Sequence, residues 1–126
     1  MEAHRTLLSV GTAMKKIEAL LEAHQVEAAK EALSGSGANG LTVTELRSFA
    51  ANVTVIIHYR GAEQIVDLLP KVKLEVVTHD DLVDRLLEAL IHGIRASKPD
   101  DGDIWVLPVD AVVRIRTGEI DEAAIA

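Results

Sequence analysis

The chain of 126 residues contains no cysteine. That removes disulfides, thiolate catalysis and zinc–thiolate centres, and makes a reducing cytoplasm the expected location. Aromatic residues amount to 2%, a single Trp, Tyr and Phe. The core must therefore be built from Val, Ile, Leu and Ala, and a stacking platform for single-stranded nucleic acid is not expected. No apolar run approaches the length needed to cross a bilayer, so direct membrane insertion is not expected. Residues 1–13 lack the basic start, long apolar centre and small-residue cleavage pattern of a secretion signal. They read as a tail of unspecified conformation ahead of one domain at 14–126, with Met14 as a second candidate start. Positive charge is also in the minority: 13 Lys and Arg against 20 Asp and Glu give a net charge of −7. Such a surface repels a phosphate backbone, so nucleic acid is not an expected partner, and any phosphate site must be a local basic pocket.

What is present is a 48% hydrophobic chain with a mean hydropathy of +0.19, the composition of a folded domain. Residues 15–21 alternate Lys16 and Glu18 against Ile17, Ala19 and Leu21, the period of a half-buried strand. Residues 25–34 place Val26, Ala29 and Leu33 at helical spacing, and Gly35, Gly37 and Gly40 end that helix. Residues 41–47 are rich in β-branched residues and predict a strand. Residues 48–52 have no clear period, while 53–57 again look like a strand. In 71–77, Val72, Leu74 and Val76 oppose Lys73 and Glu75. Thr78 is a candidate cap for the clearest helix, whose apolar face runs from Leu82 through Leu86, Leu90 and Ile94. After a turn-rich loop at 97–102, residues 104–107 return as a strand. Two β-α-β halves pack most economically as an α+β, ferredoxin-like βαββαβ sandwich, an antiparallel sheet with two helices on one face. The other sheet face offers charged pairs, Lys16 with Glu18 and Lys73 with Glu75. It is either solvated or a subunit interface crossed by ion pairs.

Near the end, Arg114 and Arg116 alternate with Val113 and Ile115. On an extended strand both guanidiniums would share one face and form a multidentate donor surface for phosphate or carboxylate. Other chemistry has little support. His4, His24, His58, His79 and His92 form no i,i+4 pair suited to a metal. The carboxylates at 100, 101 and 103 lack the remaining ligand positions of a calcium loop. No nucleophile elbow, Walker loop or GxGxxG is present, so an enzyme is not expected.

Five segments, MKKIEA (14–19), GLTVTE (40–45), YRGAE (59–63), VDLLPKVK (66–73) and VRIRTGE (113–119), occur in the order and at the separations of the P-II nitrogen-regulatory signalling proteins, and the chain resembles that family from Met14 to Ile125. The resemblance implies a homotrimer whose intersubunit clefts bind an adenine nucleotide (ATP, ADP or AMP), in many members with 2-oxoglutarate and magnesium. It also implies a regulatory T-loop at about 50–68, which docks on a membrane transporter or metabolic enzyme, and a phosphate-contacting B-loop at about 96–103. By matching position, Arg114, Arg116 and Gly102 would contact nucleotide phosphates. Thr42, Glu75 and Val77 would hold adenine and ribose. Lys71 and Asn52 would meet a 2-oxoglutarate-like effector. Arg60, with Val53, Val55, Ile56 and Ile57, would belong to the partner-binding T-loop.

Departures from the family pattern modify these expectations. Asp103 stands where a phosphate-pairing lysine is usual and Asp100 where a glycine is usual, with Asp101 beside them. Two unit charges about 5 Å apart at an effective dielectric near 20 interact by roughly 3 kcal/mol. Weak or divalent-cation-dependent ATP binding is therefore expected, with ADP or AMP favoured. Asn52 replaces a longer glutamine, and Ser48 and Ala50 replace flexible glycines, which disfavours 2-oxoglutarate sensing. Gln64 occupies the position of the tyrosine uridylylated in enteric relatives, so that control is not expected. The apolar 53–57 segment reads either as a plug or strand offered to a partner or as a strand folded back onto the sheet. Alternative functions are a sensor of another metabolite, as in bicarbonate-linked relatives, an adaptor that senses no ligand, or a slow nucleotide hydrolase.

Overall fold

A computed structural model describes residues 13–50, 55–97 and 102–125. Its strands are β1 (Met14–Leu21), β2 (Thr42–Phe49), β3 (Val55–Tyr59), β4 (Ala62–Val66), β5 (Leu68–His79) and β6 (Asp103–Pro108). The helices are α1 (Val26–Ser34), α2 (Asp80–Ser97) and the short α3 (Glu122–Ile125). Four strands form one sheet in the order β2-β5-β1-β6, with every neighbouring pair antiparallel. This is the expected ferredoxin-like arrangement, with a separate two-stranded sheet of β3 and β4 added to it.

Strand alternation decides which side is core. Ile17, Ala19 and Leu21 of β1 and Val72, Leu74 and Val76 of β5 are buried, and meet Ala29 and Leu33 of α1 and Leu86, Leu90 and Ile94 of α2. Gly93 lets the two helices close up. A Cβ at that position would lie 3.0 Å from Cβ of Ala32 and 3.3 Å from the carbonyl of Ala28. α1 is entered through a 3-10 turn at Ala23–Gln25, with the Glu22 backbone N donating to Oε1 of Gln25 at 2.8 Å. Thr78 is not the cap of α2. β5 runs on through His79 and leaves Thr78 a buried strand residue, while the α2 backbone begins at Asp80, whose N donates to the carbonyl of Ala13 at 2.8 Å.

The described part of the apolar segment after β2 does not extend the main sheet. From Val55 onward it forms one arm of the β3–β4 hairpin, registered Ile56 to Ile65 and His58 to Glu63. Arg60 (φ 51) and Gly61 (φ 79) make the two-residue turn, with both residues left-handed as tight hairpins require. The Arg60 guanidinium lies 5.4 Å from the centre of the Tyr59 ring. Asn52 and Val53 lie outside the described residues, as do the side chains of Val55 and Ile57. No described helix is long and apolar enough to cross a membrane.

Leu90 is fully buried between both helices and the sheet. Leu90→Ala is expected to cost about 2–5 kcal/mol through lost transfer energy and the cavity left behind. A urea titration followed by far-UV circular dichroism should show a lower midpoint with an unchanged slope.

Candidate functional site

The charged pairs recognised in β1 and β5 meet on the sheet face opposite the helices. Glu18 and Glu75 are cross-strand neighbours. Lys16 lies 3.1 Å from Glu75 and 3.8 Å from Glu18, while Lys73 lies 3.6 Å from each carboxylate. Nε1 of Trp105, delivered by β6, donates to Glu18 at 3.1 Å. Two lysines and two glutamates thus alternate around one patch, with Glu18 buried. The Glu75 carboxyl is held below its ordinary value of 4.5, chiefly by the hydrogen bond from Lys16, with desolvation opposing and the charges of Lys16 and Lys73 adding to the effect. Lys16 is raised above 10.5, chiefly by the same hydrogen bond, with desolvation opposing and both glutamates assisting.

Lys16 and Glu75 also form part of a groove of about 490 Å³ bounded by Asn39, Gly40, Leu41, Thr42, Val76, Val77, Arg114, Ala124 and Ile125. Three sites expected from resemblance, Thr42, Glu75 and Val77, come together here because Thr42 is the cross-strand partner of Glu75 and Val77 follows two residues on. Arg114 closes one end. Its Nη2 donates to the Ala124 carbonyl at 2.7 Å, and Nη1 lies 3.8 Å from Glu119. Nδ2 of Asn39 donates to the Ile125 carbonyl at 2.8 Å, so α3 is tied to the same groove. A hydroxyl, a carboxylate acceptor, an apolar wall and a guanidinium around one concavity suit a flat heterocycle carrying a polyol and an anionic group.

The arginine strand expected at 113–116 is absent. An isolated bridge joins Val113 to Ile120, and the six residues between them form a turn closed from Arg114 N to the Glu119 carbonyl and from Gly118 N to the Arg114 carbonyl, both 2.8 Å. Gly118 takes φ 75, which ends any extended run. The two guanidiniums therefore do not share a strand face. Arg114 lines the groove, while Arg116 is exposed and outside it. Ile115 is 99% exposed at the turn tip.

Gly102 lies elsewhere, beside Asp103, Leu21, Ile91, Ile94, Arg95 and Ile104. Its missing side chain has a packing reason, since a Cβ would sit 3.3 Å from the Leu20 carbonyl. Asp100 and Asp101 lie outside the described residues. Lys71 lines a third groove, with Glu22, His24, Glu45 and Arg47, and its ammonium is paired with Glu22. Sequence reasoning missed Asn39, the α3 carbonyls and Glu22, which become neighbours only through the register and the terminal turn. Among the described residues, no group of three His, Asp or Glu gathers to hold a metal.

The pKa directions predict how acid acts on this face. Because the Glu75 carboxyl titrates lower folded than unfolded, its stabilisation is complete above about pH 4.5 and is lost as pH falls through the folded value. The Lys16 contribution is complete below 10.5 and is lost as pH rises through its raised value. The stability difference between the wild type and Glu75→Gln, measured by urea unfolding, should be flat between pH 6 and 8 and shrink below about pH 4.5. Emission from Trp105, the only tryptophan, reports the loss.

A family model described as "Nitrogen regulatory protein P-II" matches residues 14–119. The P-II protein of Haemophilus influenzae is 48% identical over 112 residues, 89% of this chain and 100% of that protein. The P-II 1 protein of Escherichia coli K12 is 46% identical over the same shares. Among solved structures, Arabidopsis thaliana PII bound to citrate superposes with a TM-score of 0.70 at 32% identity, covering 90% of this chain and 92% of that one. The family model spans most of the chain, and the relatives match it at well over 30% identity across their whole length: the chain belongs to the nitrogen regulatory protein P-II family.

Proposed function

We propose that this protein is a cytoplasmic signalling regulator that binds an adenine nucleotide and passes its occupancy to a protein partner, a membrane transporter or a metabolic enzyme, rather than catalysing a reaction. The observation that carries this reading is the convergence of Thr42, Glu75, Val77 and Arg114 on one groove. Val77 and Leu41 offer an apolar wall to adenine. Glu75 is kept ionised by Lys16 and can accept from ribose hydroxyls, and Arg114 can exchange the Ala124 carbonyl for a phosphate oxygen.

One chain leaves this site incomplete, since Gly102 and Arg116 are outside the groove. Assembly of three copies would supply them from a neighbour. Asp103, beside Gly102, would oppose a triphosphate, so ADP or AMP is favoured and ATP binds best with a bridging divalent cation. The β3–β4 hairpin, with Ile56, Tyr59 and Ile65 exposed, is the partner-facing element. Nucleotide acts by binding one hairpin conformation better than another, because only differential affinity shifts such an equilibrium. A second reading, an adaptor without ligand sensing, draws support from the intramolecular partners already held by Arg114 and Lys71.

Calorimetric titration with ATP, ADP and AMP, with and without magnesium, tests the proposal. Saturable binding is expected, tighter for ADP than for magnesium-free ATP, and weakened about tenfold or more by Arg114→Ala. The absence of binding by all three nucleotides would favour the adaptor. Sedimentation velocity should give a trimer, and a monomer at micromolar concentration would contradict the shared site.

A further inference from the structure

Lys71 does not present a bare ammonium. Its Nζ donates to Oε1 of Glu22, the first residue beyond β1, in a groove of about 690 Å³ also lined by His24, Glu45, Leu46 and Arg47. The two side chains are 23% and 32% exposed, so the pair is neither sealed in the core nor fully solvated. The Glu22 backbone is fixed by its bond to Gln25, and the 3-10 turn follows at once. The Glu22 side chain also takes part in a capping box with the Gln25 backbone, so the carboxylate leaves Lys71 by rotation of its own side-chain torsions and gives up that contact as well.

We propose that Glu22 is a built-in competitor for a small di- or tricarboxylate. Its carboxylate occupies the ammonium that a soluble carboxylate would need, and Arg47 and His24 supply the second anchor such a ligand would use. An incoming anion has to displace Glu22 and then tolerate a like charge at the mouth of the groove. This discounts its affinity by the small fraction of molecules in which Glu22 is swung away. The inference rests on the reading of Lys71 as an effector contact and adds what governs that contact: an internal carboxylate sets the concentration at which the groove fills. A partly exposed ion pair contributes little to folding, so the loss of charge alone in Glu22→Gln, which keeps a side-chain acceptor for the capping box, should appear in binding rather than in stability.

The probes are citrate and 2-oxoglutarate, titrated calorimetrically into the full chain. Glu22→Gln keeps length and shape while removing the charge, and Glu22→Ala removes the acceptor altogether. Both variants are expected to bind at least one probe roughly tenfold to a hundredfold more tightly than the wild type. Adding Lys71→Gln to either variant should abolish the gain. Affinity in both variants no better than wild type overturns the proposal, as does a gain that survives loss of Lys71. Titration of the same proteins with ADP separates the two levels of inference. ADP binding without any carboxylate gain sinks the competitor alone. Failure of ADP and both probes in every variant sinks the competitor together with the sensor reading on which it rests.

Discussion

β5 is the strand on which the rest of the molecule depends. It is twelve residues long and pairs with β2 over Leu68–Glu75 and with β1 over Val72–His79, so that every one of its residues has a neighbouring strand and those from Val72 to Glu75 have one on each side. Its alternation sends Val72, Leu74, Val76 and Thr78 into the core and Lys71, Lys73, Glu75 and Val77 to the opposite face. A slip of one residue would bury Lys73 and Glu75 and expose Leu74 and Val76, so the hydrophobic pattern fixes the register. That register then fixes the chemistry. It sets Glu75 opposite Thr42 on one side and Glu18 on the other, and carries Lys71 to the end of β1 where Glu22 waits.

The charged face follows from the same constraint. With core side chains claiming alternate positions, Lys16, Glu18, Lys73 and Glu75 are left as one patch, and their signs alternate in space as well as in sequence. Each carboxylate has a lysine within reach, which keeps Glu75 ionised and fit to accept hydrogen bonds. A half-buried patch of this kind gains less from attraction than its distances suggest, because desolvation opposes the attraction. Its worth lies in orientation: Lys16 and Glu75 belong at once to the patch and to the groove, so a ligand touching Glu75 is coupled to Glu18 and to the indole of Trp105.

Much of the architecture was legible in the sequence because it rests on periodicity. The alternation in 15–21 and 71–77 and the broad apolar face of α2 led directly to the sheet and the helices above it. The Tyr59-Arg60-Gly61 step carried the hairpin turn, yet the two-strand reading was not drawn from it. The errors came from local pattern overruled by local geometry. Val113-Arg-Ile-Arg alternates like a strand, but Gly118 takes a left-handed conformation and the backbone closes a turn two residues after Arg116, which parts the two arginines. Thr78 has the chemistry of a cap, but apolar packing extended β5 past it. The pairings of Lys71 with Glu22, Lys16 with Glu75 and Asn39 with the last turn depend on register between distant segments, which residue patterns do not encode. Thr42, Glu75 and Val77 were reached by family resemblance, and they do converge on one groove.

On the proposed reading, the sensor would work through competition. The groove guanidinium holds a main-chain carbonyl and the Lys71 ammonium holds a carboxylate, so each cation would exchange one partner for another on binding a ligand. The central claim is that the concavity beside Glu75 receives the nucleotide. Backbone amide chemical shifts of the isotopically labelled protein, followed during titration with ADP, test it most directly. The account predicts saturable shifts at residues 40–42, 75–77 and 114, with little change at 22–24 and 45–47. Shifts confined to the Lys71 groove, or no saturable shift at 75–77, would contradict it.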